Sequence, residues 1–125
     1  MENKKIGLLG EKIAQNYLKK KGYQVLDKNY IFQIPGSPQE GEIDIITKKG
    51  DTFYFVEVKT SKTSKNIIEP EERVNFQKKK RLEKTAESWL IKNKISLDSK
   101  WQIDIVSIKI NLKRKRAKIR HFKNI

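Results

Sequence analysis

Two β-prone runs, Glu42 to Lys48 and Phe53 to Thr60, flank Gly50-Asp51, and this pair constrains the chain more than any other feature. Alternating runs around a Gly-Asp turn form an antiparallel hairpin. With Gly50 and Asp51 as the loop, Lys49 faces Thr52, Asp44 falls opposite Glu57, and Glu42 falls opposite Lys59. Side chains alternate along a strand, so Glu42, Asp44, Glu57 and Lys59 share one face. Ile43, Ile45, Val56 and Val58 take the other face. Directly opposed Cβ atoms lie about 4.5–5.5 Å apart, and like charges set opposite each other destabilise a sheet.

The segments around the hairpin predict an α/β chain. Ile6, Leu9, Gly10, Ile13, Ala14 and Tyr17 recur at helical spacing over Asn3 to Lys21, and Gly22 ends the run behind Lys19, Lys20 and Lys21. A strand follows from Tyr23 to Tyr30, then the breakers Pro35-Gly36-Ser37-Pro38. Beyond the hairpin, the spacing predicts a helix from about Glu71 to Lys94, with Pro70 in its first turn. Val74, Lys78, Leu82, Ala86, Trp89 and Leu90 share its face. A strand over Trp101 to Ile110 changes its apolar phase between Ile105 and Val106, which implies burial on both faces or a bulge. A short strand over Lys118 to Phe122 closes the chain. The order αβββαββ implies a mixed sheet flanked by helices, and 125 residues suffice for one domain.

Composition narrows the chemistry. The chain has 29 Lys and Arg against 15 Asp and Glu, a net charge of +14 that attracts polyanions. Nucleic acid is the first partner this suggests. Cysteine is absent, which excludes thiol nucleophiles and Cys-ligated metals; the lone His121 excludes a multi-His zinc site. The longest apolar run, Phe53-Tyr54-Phe55-Val56, is far short of a membrane helix. The expectation is a soluble, cytoplasmic protein with no membrane partner.

The acid cluster needs a neutralising cation. Hard dications such as Mg²⁺ take oxygen ligands and keep water. Asp44 and Glu57 can hold such an ion, and Lys59 can orient a water or meet charge developing at phosphorus. The plainer alternative is a surface hairpin salt-bridged to nearby lysines. Against it, Glu57 and Lys59 sit in Phe-Val-Glu-Val-Lys, and charged residues inside apolar strands need a partner or a task. Glu11, at the edge of the first helix's apolar stripe, can reach the patch as a further metal ligand. Glu42 is a supporting acid, and Lys78 can point to a phosphate or snorkel along its helix. Asp104, in Gln-Ile-Asp-Ile-Val, can support the site from behind its ligands, with a structural role the preferred reading. Basic clusters at Lys78, Lys79, Lys80 and Arg81 and at Lys113, Arg114, Lys115 and Arg116 suggest a phosphate-backbone track; the alternative is a solvated tail.

Gly41-Glu42-Ile43-Asp44 with Phe55-Val56-Glu57-Val58-Lys59 resembles the D…(E)xK signature of the restriction-endonuclease-like superfamily. With Gly10-Glu11, Gly22-Tyr23, Asn29-Tyr30, Val74…Lys78 and Asp104, most of the chain is similar to the YraN-type bacterial family, related to archaeal Holliday junction resolvases. The resemblance implies a single endonuclease-like domain over residues 1–125 and a metal-dependent phosphodiesterase site. Asp44 and Glu57 would be metal ligands, Lys59 the catalytic lysine and Glu11 the helix-borne acid. The family's arginine before Asp104 is Gln102 here. The resolvase relatives act as dimers, so a homodimer is a further expectation. Together these readings predict a Mg²⁺- or Mn²⁺-dependent nuclease on DNA, ahead of RNA, with branched or structured DNA as a candidate substrate. The alternatives are a non-catalytic nucleic-acid-binding module of the same fold and a subunit whose basic face meets an acidic protein.

Overall fold

The computed structural model describes residues 3–62 and 75–125. Its elements are α1 (Asn3–Lys20), β1 (Gln24–Gln33), β2 (Glu40–Lys49), β3 (Thr52–Lys62), α2 (Phe76–Lys92), β4 (Lys100–Asn111) and β5 (Arg116–Phe122). The strands form one sheet in the order β1-β2-β3-β4-β5, antiparallel except for the parallel β3–β4 pair. This is the αβββαββ order and mixed sheet of a restriction-endonuclease-like fold.

The two helices cover opposite faces. Ile6, Ala14 and Leu18 of α1 pack with Ile45, Val56, Val106 and Ile108; Leu82, Ala86, Trp89 and Leu90 of α2 pack with Ile43, Ile46, Phe55 and Ile103. Burying one such aliphatic or aromatic side chain contributes about 1.5–3 kcal/mol. The phase change in the fourth strand is therefore burial on both faces. The β3–β4 ladder runs from Thr52↔Lys100 to Lys62↔Ile110 without a bulge. Ile103 faces α2, whereas Val106, Ile108 and Ile110 face α1.

Helix α1 closes after Lys20 with Gly22 N–H donating to the Lys19 carbonyl and Tyr23 N–H to that of Leu18, the paired bonds of a glycine-ended helix. Helix α2 has its N-cap at Asn75. Asn75 has extended backbone (φ −71°, ψ 167°), and its side chain accepts from Lys78 N–H, which fixes the first turn at Phe76. The expected start near Pro70 and Glu71, and the face position Val74, lie outside the described residues. The basic run at Lys113 to Arg116 is not a tail but the exposed β4–β5 turn and the first residue of β5, folded by Arg114 N–H donating to Asn111 Oδ1. Among the described residues no helix is long and apolar enough to cross a membrane.

Candidate active site

The site lies where strands β2 and β3 part. Their ladder follows the register fixed by the Gly50-Asp51 turn, from Lys49↔Thr52 to Ile45↔Val56, and stops there. Beyond that point β2 stays with β1, pairing Ile43 with Tyr30 and Glu40 with Gln33. Strand β3 continues with β4, pairing Glu57 with Ile105 and Lys59 with Ser107. The sheet splits into a fork, and its first residues are Asp44 and Glu57. Glu42 pairs with Ile31 rather than with Lys59, so that expected cross-strand neighbour is corrected.

The shared face expected for the acids is corrected as well. Ile43 and Ile46, three residues apart, pack toward α2, and Ile45 between them packs toward α1. Strict alternation therefore breaks at Asp44. On the neighbouring strand, Lys28↔Ile45 and Tyr30↔Ile43 pair, and the intervening Asn29 and Asp44 are skipped. Asn29 has φ 51°, the left-handed region that asparagine tolerates better than other non-glycine residues. The local break frees Asp44 from a regular sheet position. Its Oδ2 accepts the Val58 N–H at 2.7 Å, taking the place of a strand carbonyl across the fork.

The two helices bring further charges to the fork through close contacts. A Cβ at Gly10 would run into the Thr60 side chain of β3, and a Cβ at Gly41 into Thr85 of α2. The residues beside these contacts are Glu11 and Glu42. Glu11 lies within electrostatic reach of Glu42, Lys28 and Asp44; its carboxyl is raised by burial, then by Glu42, against a lowering by Lys28. On the other side, Lys78 Nζ of α2 stands 3.1 Å from Glu57 Oε2. Lys78, Arg81, Glu40, Gly41, Glu42 and Glu57 line an open cavity of about 190 Å³. Arg81 Nη1 donates to Gln39 Oε1 at 2.6 Å, and Thr85, fully buried, donates to the Arg81 carbonyl.

Asp44 carries the largest electrostatic perturbation. Burial pushes its carboxyl up, the Val58 N–H opposes this, and the charge and hydrogen bond of Glu57 with the charge of Glu11 add to the rise, to about 8. The metal-free site therefore favours the protonated carboxyl of Asp44. A hard cation would take that proton's place, and Mg²⁺ is commonly held by one or two carboxylates with water completing its shell. The donor set fits such an ion. Among the described residues no group of three His, Cys, Asp or Glu side chains is already gathered around one point; Glu11 stands within electrostatic reach of Asp44 beside the pair. Lys59 lies on β3 two residues beyond Glu57 and is half-buried. Lys79 is half-buried, and Lys80 lies over the Phe76 ring at 4.7 Å. Neither lines the cavity beside Glu57.

In the sequence Asn29 counts only toward the family resemblance, and the Val58 N–H has no role at all. Asn29 had a signal: a residue suited to left-handed backbone opposite a charged strand position. The Val58 donor had none, because it becomes available only where the ladder stops.

The model of the family described as uncharacterised protein family UPF0102 matches residues 10–108. A UPF0102 protein of Alkaliphilus oremlandii is 41% identical over 122 residues, covering 98% of this chain and 97% of its own length. One from Fervidobacterium nodosum is 42% identical over 126 residues, with 98% and 83% covered. One from Dictyoglomus turgidum is 42% identical over 108 residues, with 86% and 85% covered. The matched span contains Glu11, Glu42, Asp44, Glu57, Lys59 and Lys78, and ends before the basic turn at Lys113 to Arg116.

Proposed function

The chain belongs to the UPF0102 family, and from that premise and the fork we propose that it is a Mg²⁺- or Mn²⁺-dependent nuclease cutting phosphodiester bonds in DNA, with branched or structured DNA as the candidate substrate. One observation carries the reading: two carboxylates, Asp44 and Glu57, meet at the open end of a split sheet, the first raised by burial and by its neighbour, the second paired with the Lys78 ammonium.

Asp44 and Glu57 would hold the metal, which when bound supplies an activated water and neutralises charge developing at phosphorus. The chain's own residues do the rest. Val58 N–H fixes the rotamer of Asp44, so the carboxylate is oriented before any ligand arrives. Lys59 brings an ammonium to the same strand end, suited to a pentavalent phosphorus carrying extra negative charge. Arg81 and Lys78 line the cavity beside the acids and give a phosphate group a cationic wall. The Lys113 to Arg116 turn follows the strand that pairs with β3 up to Lys62↔Ile110, at the end of the sheet toward which the fork opens. Phosphate contacts of this kind supply affinity without sequence choice.

The test is cleavage of supercoiled, linear, single-stranded and four-way-junction DNA with and without Mn²⁺. Wild-type protein should cut in the presence of metal, and Asp44→Ala and Glu57→Ala should lose cutting by about a hundredfold or more. Cleavage that survives both substitutions would overturn the assignment. DNA binding by wild-type protein without any cutting would favour the non-catalytic binding module.

A further inference from the structure

Glu57 is shared. Asp44 interacts with its carboxylate through a hydrogen bond and charge, and the Lys78 ammonium lies 3.1 Å from Oε2. The two partners differ in freedom. The Glu57 side chain is 12% exposed and anchored in the sheet; that of Lys78 is 36% exposed on a flexible four-carbon stem. Lys78 also lines the 190 Å³ cavity with Arg81, one helical turn further along α2. The ammonium can therefore leave Glu57 for the cavity without any change of backbone.

Building on the metal-dependent reading above, we propose that Lys78 is a phosphate-contacting residue held in reserve: it occupies the Glu57 carboxylate until a dication displaces it, and then turns to a phosphate oxygen of the substrate in the Arg81 cavity. A dication held by Asp44 and Glu57 would compete with Lys78 for the Glu57 carboxylate and would repel its ammonium. A phosphate in the cavity offers a new anionic partner. The exchange involves no covalent step. It links the two ligands, because each one stabilises the arrangement the other needs, and such linkage is reciprocal.

The experiment is calorimetric titration of Mn²⁺ alone into wild-type protein, Lys78→Met, Lys78→Arg and Asp44→Asn, with thermal melts confirming that each variant folds. Lys78→Met should bind Mn²⁺ about fivefold more tightly than wild type, since the competing cation is gone. Lys78→Arg should keep the weaker wild-type affinity, and Asp44→Asn should lose binding. A second titration uses inorganic phosphate with and without Mg²⁺. Wild type should gain phosphate affinity when Mg²⁺ is present, and Lys78→Met should lose most of that gain. Unchanged or weaker Mn²⁺ binding in Lys78→Met, with Asp44→Asn still losing it, would overturn the exchange and leave the metal site standing. An equal phosphate gain in wild type and Lys78→Met would also overturn it. Mn²⁺ binding that survives Asp44→Asn would remove the metal reading itself, and the exchange with it.

Discussion

Asp44 and Asp104 are two acids in neighbouring rows of one sheet, and their surroundings are opposite. Asp104 pairs in the ladder with Val56, which pairs with Ile45, the residue beside Asp44. Asp104 is fully buried. Burial alone would raise its carboxyl, but His121 Nε2 at 2.8 Å, the Asn124 N–H at 2.9 Å and Gln102 Nε2 at 2.8 Å outweigh it and hold the group below its usual range. His121 is bonded in turn to the Tyr17 hydroxyl through Nδ1 at 3.0 Å. Asp44 is less buried, yet it has one backbone donor and an acid for a neighbour, and its carboxyl rises to about 8. A buried acid held by three donors stabilises a fold; one raised by burial and a second acid at an opening is poised for a ligand.

The largest expected effect tests the structural half of this contrast. Asp104→Ala strands His121, Gln102 and the Asn124 N–H beneath α1, and removing one partner of a buried network costs about 3–5 kcal/mol. Denaturant unfolding should show a loss of that size. A loss below about 1 kcal/mol would mean that water replaces the carboxylate easily, and the contrast with Asp44 would fail.

Next comes the seating of α2. Gly41→Ala drives a methyl group into Thr85, which is buried and hydrogen-bonded to its own helix, so α2 must shift. Overpacking of this kind costs about 1–3 kcal/mol. The shift also carries Lys78 away from Glu57, so Mn²⁺ affinity should change together with stability. Stability lost without any change in Mn²⁺ affinity would show that the fork holds its geometry independently of the helix.

How much of this was legible from the chain depends on the kind of interaction. The hairpin register could be read because a two-residue turn fixes every pair up to Ile45↔Val56. The fork could not. Its opening depends on β2 following β1 and β3 following β4, and on Asn29 adopting φ 51°, none of which a local pattern encodes. For the same reason Ile43 was assigned to the wrong face: alternation holds only while the strand stays regular. The part played by Gln102 became intelligible only with the fold, where its amide reaches Asp104. The role of Asp104 itself was legible, because an acid amid buried-strand residues needs partners.

The two acids should also titrate in opposite senses. The folded-state pKa of Asp44 is raised from 3.8 to about 8, so between those values the native protein holds a proton that the unfolded chain has released. Stability of the metal-free protein from this group is therefore fully present below about pH 4 and is lost as pH rises toward 8. For Asp104 the folded value is lowered, so its contribution is present above 3.8 and is lost on further acidification. Asp44→Asn should flatten the loss on the alkaline side and stabilise the metal-free protein near pH 8 by on the order of 1 kcal/mol. Wild-type Mn²⁺ affinity should climb over the same interval, because the metal displaces the retained proton. Melting curves across this pH range with an unaltered slope in Asp44→Asn would place the proton elsewhere.

The smallest effect is the most selective. The ionised Asp104 only accepts, so His121 Nε2 donates to it, while Nδ1 is hydrogen-bonded to the Tyr17 hydroxyl. Tyr17→Phe keeps the ring, its edge contact with His121 and the apolar packing of α1, and deletes only that hydrogen bond. The loss should be about 1 kcal/mol, a fall of about 4 °C in melting temperature. Asp104, with three donors left, should still be held low, and Mn²⁺ binding at the fork should be untouched. A change in Mn²⁺ affinity in Tyr17→Phe would show that Asp104 and Asp44 feel each other across Val56. The two acids would then form one coupled system, not a structural acid beside a functional one.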